Sequence, residues 1–115
     1  MAIGPYSQAV DVNGVVYISG QIPLDPETAS IISDDFTQQA QYVFKNLSLI
    51  AEAANSSLAE AVKLTVYVTD LVNFPIVNDV MAEFVPEPFP ARTAVQVSAL
   101  PKGALLEVDA ILVLN

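Results

Sequence analysis

"VKLTVYVT", residues 62–69, alternates without a break. Val62, Leu64, Val66 and Val68 fall on one side of an extended chain, and Lys63, Thr65, Tyr67 and Thr69 on the other. This is the period of a strand with one buried and one half-polar face. The period changes on both sides of it. Upstream, Phe36, Ala40, Val43, Phe44, Leu47, Ile50, Ala51 and Ala54 recur at steps of three and four, which predicts an amphipathic helix. Ser33 is its cap candidate, with Asp34 and Asp35 set against the positive end of the helix dipole. Downstream, residues 73–85 carry Phe74, Val77, Val80, Met81 and Phe84 on one stripe. Pro75 is tolerated in the first turn of that second helix, and Pro86, Pro88 and Pro90 end it. Two helices with one apolar stripe each cover one face of a sheet, an α+β layer arrangement.

Further outward, residues 6–12 and 15–21 flank Asn13-Gly14, which tolerates the positive φ of a tight hairpin turn. Residues 23–28, "PLDPET", are turn chemistry, and a short strand is expected near Ile31 and Ile32. Ser57 and Glu60 have the spacing of a capping box over a single turn. The last two strands are predicted at about residues 92–98 and 105–114, with Pro101 and Gly103 turning the chain between them. In the first, Thr93, Val95 and Val97 oppose Arg92, Ala94, Gln96 and Ser98; in the second, Leu106, Val108, Ala110 and Leu112 oppose Glu107, Asp109, Ile111 and Val113. The order is β-β-(β)-α-β-α-β-β in one domain, residues 1–115. The expected second sheet face carries Lys63, Thr65, Tyr67, Arg92, Gln96, Glu107 and Asp109, and is either solvent-exposed or an oligomer surface.

Composition narrows the chemistry. The 115 residues include no cysteine and no histidine, which removes disulfides, thiolate metal sites, Ser-His-Asp and Cys-His mechanisms and the commonest general base. Carboxylates, tyrosine, lysine, arginine and water remain. Thirteen acidic residues against four basic ones give a net charge of −9, which argues against nucleic acid because phosphate binding needs clustered cations. No apolar run approaches a membrane span, and the first ten residues lack the pattern of a secretory signal. A reducing, cytoplasmic setting is the expectation. With 53% hydrophobic residues, the chain is apolar enough to suggest burial in an oligomer.

The single arginine, Arg92, lies in "PFPARTAVQV", residues 88–97. Solubility does not call for a guanidinium in so acidic a protein, so the position asks for an anion. Two readings stand. Arg92 and Glu107, on strands joined by a short turn, could form a structural ion pair. Alternatively, the planar fork of Arg92 holds a small carboxylate bidentately, with Glu107 beside it to accept or relay a proton.

"GPYSQAV", "YISGQIPLDPET", "VKLTVYVTDLVNF", the Val77-Asn78 pair and "PFPARTAVQVSALPKGALLEVDAI" follow one another from residue 4 to the end. In that order and spacing they resemble the RidA (YjgF) family of enamine/imine deaminases, also labelled endoribonuclease L-PSP and translation initiation inhibitor. The resemblance implies a chorismate mutase-like fold and a homotrimer with three sites at the subunit clefts. It further implies hydrolysis of 2-aminoacrylate-type enamines and imines to 2-keto acids and ammonia, with no metal or cofactor. The family's carboxylate-binding arginine falls on Arg92 and its water-orienting glutamate on Glu107. The tyrosine of its GPY motif falls on Tyr6, the serine-glycine of its SGQ motif on Ser19 and Gly20, and its helix asparagine on Asn78. Many members carry cysteine where this chain has Ala94; contact through the backbone survives that change and thiol chemistry does not. The GPY motif also stands nearer the start of the chain than in many members, so packing near Tyr6 is expected to differ. Bland roles stay open beside these: Tyr6 as a packing residue, Gly20 relieving crowding, Asn78 as an exposed helix position, Lys63 and Lys102 as surface charges, and Asp25 with Glu27 as a solvated turn.

Overall fold

The computed structural model describes residues 7–114; Tyr6 lies outside the described residues. The chain runs β1 (Ala9–Val12), β2 (Val15–Gln21), β3 (Leu24–Asp25), β4 (Ser30–Ile31), α1 (Phe36–Ala53), β5 (Ala61–Val68), α2 (Phe74–Phe84), β6 (Ala91–Gln96) and β7 (Leu106–Val113). Five strands form one sheet in the order β1-β2-β7-β5-β6, while β3 and β4 pair as a separate small hairpin. β5 and β6 are parallel, and the other neighbouring pairs of the sheet are antiparallel. The parallel pair follows from α2, which lies between them in the chain and returns it to the same end of the sheet.

Both helices cover one face, as the periodicities require. Leu64, Val66 and Val68 of β5 and Leu106, Val108 and Leu112 of β7 meet Val43, Phe44 and Leu47 of α1 and Val77 of α2, all of them sealed from solvent. Phe44 stacks on Phe84 with ring centroids 6.1 Å apart, joining the two helices. Each such side chain contributes about 1.5–3 kcal/mol when fully buried. In the β1–β2 turn, Asn13 and Gly14 take φ of 53° and 85°. The Gly14 N–H donates to Asp11 Oδ1 at 3.0 Å, so the turn closes on its own side chain.

The structure moves three local features. The cap of α1 is Asp35, whose carboxylate accepts from the Gln38 N–H at 2.9 Å; Ser33 instead accepts from the Asp35 N–H. The helix begins where Phe36 reaches the core, two residues later than a cap at Ser33 requires. The alternation in residues 62–69 breaks at its start: Ala61 opposes Leu112 and Lys63 opposes Ile111, an extra residue in β5. This bulge buries Ala61 and leaves Val62 exposed at 45%, because one inserted residue reverses the side to which its neighbours point.

The third correction concerns Arg92. β6 and β7 do not form a hairpin, because β5 lies between them. In the parallel β5–β6 register, Arg92, Ala94 and Gln96 pair with Leu64, Val66 and Val68, so they share the helix-covered face. Thr93 and Val95 join Thr65, Tyr67, Glu107 and Asp109 on the other side. Alternation within β6 is real, but on the helix side of the sheet edge Arg92 meets α2 and Gln96 accepts from the Leu71 N–H just ahead of that helix.

Candidate active site

The residues singled out by sequence gather in two places. The first is the edge formed by β6 and α2. Phe74, Asn78 and Met81 are spaced i, i+4 and i+7, which sets them in a line along one face of α2. The Arg92 guanidinium lies on that line. Its Nη1 donates to Asn78 Oδ1 and approaches Met81 Sδ at 3.9 Å, and its Cζ stands 4.7 Å from the centre of the Phe74 ring. Ala94 is two residues further along the same side of β6. Among the described residues no carboxylate lies against Arg92. The asparagine oxygen and aromatic face hold the guanidinium without neutralising it, so its charge remains available to an incoming anion. This overturns the ion-pair reading within one chain. Phe74 and Met81, taken from sequence as core stripe residues, are also the bed of the arginine; their shared helical spacing with Asn78 is the signal that marks them.

The second place is the other sheet face, across β2, β7 and β5. Glu107 lies over Gly20. A Cβ added to Gly20 would overlap the Glu107 oxygen Oε2 and stand 2.8 Å from its carboxyl carbon. Here the glycine is needed for room, since the carboxyl group occupies the space of its missing side chain. Ser19, one residue before, has its hydroxyl committed to the Ser7 carbonyl at 2.6 Å, which ties β2 to the segment before β1. Tyr67 faces Glu107 across the β5–β7 register, and its hydroxyl donates to Asp109 Oδ2 at 3.3 Å. Burial raises the pKa of Glu107 above its ordinary value, and the Asp109 carboxylate raises it further. Tyr67 is raised as well, by burial first and then by Asp109 and Glu107. A cleft of about 320 Å³ opens beside Gly20, between the end of β2 and α1, with Gln8, Gln21, Tyr42 and Asn46 in its wall.

The two places do not meet. Arg92 is level with Leu64 and therefore with Ala110, three residues from Glu107 along β7. That offset is roughly 10 Å along the strands and, over two strand spacings, roughly 10 Å across them. The two side chains also leave opposite faces of the sheet.

A further residue that pattern reading missed acts from below. Gln39, the one polar side chain buried among the core residues of the described chain, is 1% exposed. Its Nε2 donates to the Ser33 carbonyl at 2.7 Å and its Oε1 accepts from the Leu105 N–H at 3.0 Å. The start of α1 is thereby fastened to the segment that leads into β7, two residues before Glu107. No periodicity marks it, because glutamine at a core position reads as a break in the stripe.

Comparison with known proteins places this arrangement. Residues 1–114 match the profile of the family described as "Endoribonuclease L-PSP". A RutC family protein of Pyrococcus abyssi is 48% identical over 95% of this chain and 86% of its own length. The 2-iminobutanoate/2-iminopropanoate deaminase of Homo sapiens is 43% identical over 96% of this chain and 80% of its own. Among solved structures, RidA from an Antarctic Psychrobacter superposes with a TM-score of 0.94 at 49% identity, covering 99% of this chain and 92% of that one. Continuous similarity in sequence and fold, over nearly the whole chain, makes this protein a member of the RidA (YjgF) family.

Proposed function

We propose that this protein hydrolyses 2-aminoacrylate-type enamines, through their imine tautomers, to 2-keto acids and ammonia, as a homotrimer whose sites lie between copies. The observation that carries the reading is Arg92: a lone guanidinium held by Asn78 and Phe74 with no acidic partner among the described residues. Such a group suits a small carboxylate. Glu107, on the opposite face of the same sheet, is the half-buried carboxyl able to handle a proton. The distance between them within one chain supports a site in which one copy supplies Arg92, Asn78 and Ala94 and its neighbour supplies Glu107, Gly20, Ser19 and Tyr6. The exposed edge strand β6 and the exposed Tyr17, Val95 and Val113 on the outer face supply surface for that contact. The names of relatives at 41% and 43% identity as 2-iminobutanoate/2-iminopropanoate deaminases support the chemistry.

In the proposed reaction Arg92 binds the substrate carboxylate and fixes the imine carbon beside a water held by Glu107. Positioning of this kind contributes several kcal/mol to lowering the barrier. Glu107 takes a proton as the water oxygen bonds to the imine carbon, giving a carbinolamine once nitrogen is protonated. It then helps return a proton as the carbon–nitrogen bond breaks and ammonia leaves a 2-keto acid. The test is direct: the protein is added to a pyridoxal phosphate enzyme that releases 2-aminoacrylate, and pyruvate and ammonia are timed. Faster release, lost in Glu107→Gln, is expected. An unchanged rate, with keto acid still bound, would leave the second reading, a carboxylate-binding trimer that uses Arg92 without turnover. A ribonuclease, the reading suggested by the older family label, fits poorly with a net charge of −9 and no histidine; nuclease-free protein should leave RNA intact at physiological salt, judged by gel.

A further inference from the structure

Glu107 has an acidic neighbour that costs stability and that the core does not need. Asp109 lies two residues on, on the same face of β7, opposite Thr65. Tyr67 starts opposite Glu107 but reaches diagonally, so that its hydroxyl meets Asp109 at 3.3 Å; diagonal neighbours across a strand pair are within reach of an aromatic side chain. Both residues are half-buried. The remaining groups on this face do not balance the pair of acids. From β5, Lys63 stands opposite Ile111, and its ammonium donates to Thr93 Oγ1 at 2.7 Å, towards β6. From β2, Tyr17 pairs with Ile111, Ser19 is turned to the Ser7 carbonyl, and Gly20 has no side chain. β6 brings only Ala91, Thr93 and Val95 to this side. Two half-buried carboxyl groups thus share a face with no cation between them, and a tyrosine hydroxyl fastens one of the two.

We propose that Asp109, held by Tyr67, is a positioning residue for Glu107: it turns the Glu107 carboxyl over Gly20 and helps it both to take and to return a proton. The inference rests on the reading of Glu107 as the proton carrier of imine hydrolysis. Glu107 lies between Tyr67 on β5 and the open space above Gly20 on β2, and repulsion from Asp109 favours the Gly20 side. The same repulsion disfavours the ionised form of Glu107, in the direction in which burial already acts. An ordinary exposed carboxylate takes a proton from water and passes one to a departing amine poorly, because it is almost fully ionised at neutral pH; a carboxyl whose two forms are closer in free energy serves both steps. Tyr67 makes the effect constant by preventing the Asp109 carboxylate from swinging into solvent.

The test follows the protonation of Glu107 itself. Protein carrying 13C at glutamate Cδ is titrated by NMR, the Glu107 signal being assigned by its loss in Glu107→Gln. Asp109→Asn keeps an acceptor for Tyr67 and removes the charge, so the Glu107 midpoint should move to lower pH. Tyr67→Phe should move it the same way by less, and Glu52→Gln, on the exposed side of α1, should leave it in place. Should Asp109→Asn fail to fold, Tyr67→Phe carries the measurement. An unmoved midpoint in both variants overturns the proposal, as does an equal shift in Glu52→Gln. Imine hydrolysis measured against pH gives the second readout: its acid limb should follow the NMR midpoint, raising the ratio of rates at low and neutral pH by about threefold or more in Asp109→Asn. A moved midpoint in a protein without hydrolysis would refute the deaminase reading while upholding the hold of Asp109 on Glu107.

Discussion

If Arg92 and Glu107 act in one site but belong to different copies, two inactive variants should make an active mixture. The structure sets the size of the effect. β5 separates the strands that carry the two residues, and their side chains leave opposite faces, so no side-chain rotation joins them within one chain. Each site of a trimer with threefold symmetry takes its arginine from one copy and its glutamate from the next. Consider trimers assembled at random from equal amounts of Arg92→Ala and Glu107→Gln. A site then receives an intact arginine half of the time and an intact glutamate half of the time, so about a quarter of all sites are complete, and about a third of those in trimers that contain both variants. Loss of the proton carrier costs roughly 10²-fold or more, so the mixture should work some tens of times faster than either parent. Co-expression from two differently tagged copies, followed by sequential capture on both tags, gives the mixed trimers. Turnover of freshly generated 2-aminoacrylate, followed through pyruvate, is the assay. A mixture no faster than the mean of its parents would refute a shared site. A chain that sediments as a 12.3 kDa monomer at micromolar concentration would remove the premise.

Three further outcomes are expected. Arg92→Lys keeps the charge and loses the planar fork, so calorimetry should show 2-keto acid binding weakened by roughly 1–3 kcal/mol; unchanged affinity would mean that the fork is not the anion holder. Glu107→Gln should leave that binding within about tenfold while abolishing most turnover, and it should also change stability with pH. The folded-state pKa of Glu107 is raised above 4.5, so its protonated form stabilises the fold fully below that value, and the contribution is lost as pH rises through the folded-state value. The variant should therefore melt above the wild type at pH 7–8, with the gap closing towards pH 4; a gap independent of pH would refute the linkage. Gln39→Ala removes the side-chain partner of the partly buried Ser33 carbonyl and Leu105 N–H and should cost roughly 2–4 kcal/mol in urea unfolding, an effect absent if water replaces the amide.

The elements of this fold were legible in the sequence because each is written by a local period. The stripe from Phe36 to Ala51, the stripe from Phe74 to Phe84 and the alternation after Lys63 each bury one side, and burial on one side is a property of the segment itself. Asn13-Gly14 wrote its turn by the same logic, through backbone conformations few other residues tolerate. The candidate site residues Arg92 and Glu107 were legible for a different reason, as the only guanidinium and as an acid in a β-strand, strengthened by family resemblance. What the sequence could not supply was which strands are neighbours and which side of an edge strand counts as inside. Alternation in "ARTAVQ" divides the residues into two sets but does not name their faces, and Thr93 and Val95 look more buried than Arg92. Pairing with β5 decided it: Arg92 shares a side with Leu64 and lies on α2, while Glu107 lies over Gly20 on the other face. The bulge at Val62, the clamp of Gln39 and the reach of Tyr67 to Asp109 have the same origin. They depend on contacts between residues far apart in the chain, where a one-residue change of register reverses every side chain, and only the tertiary structure fixes that register.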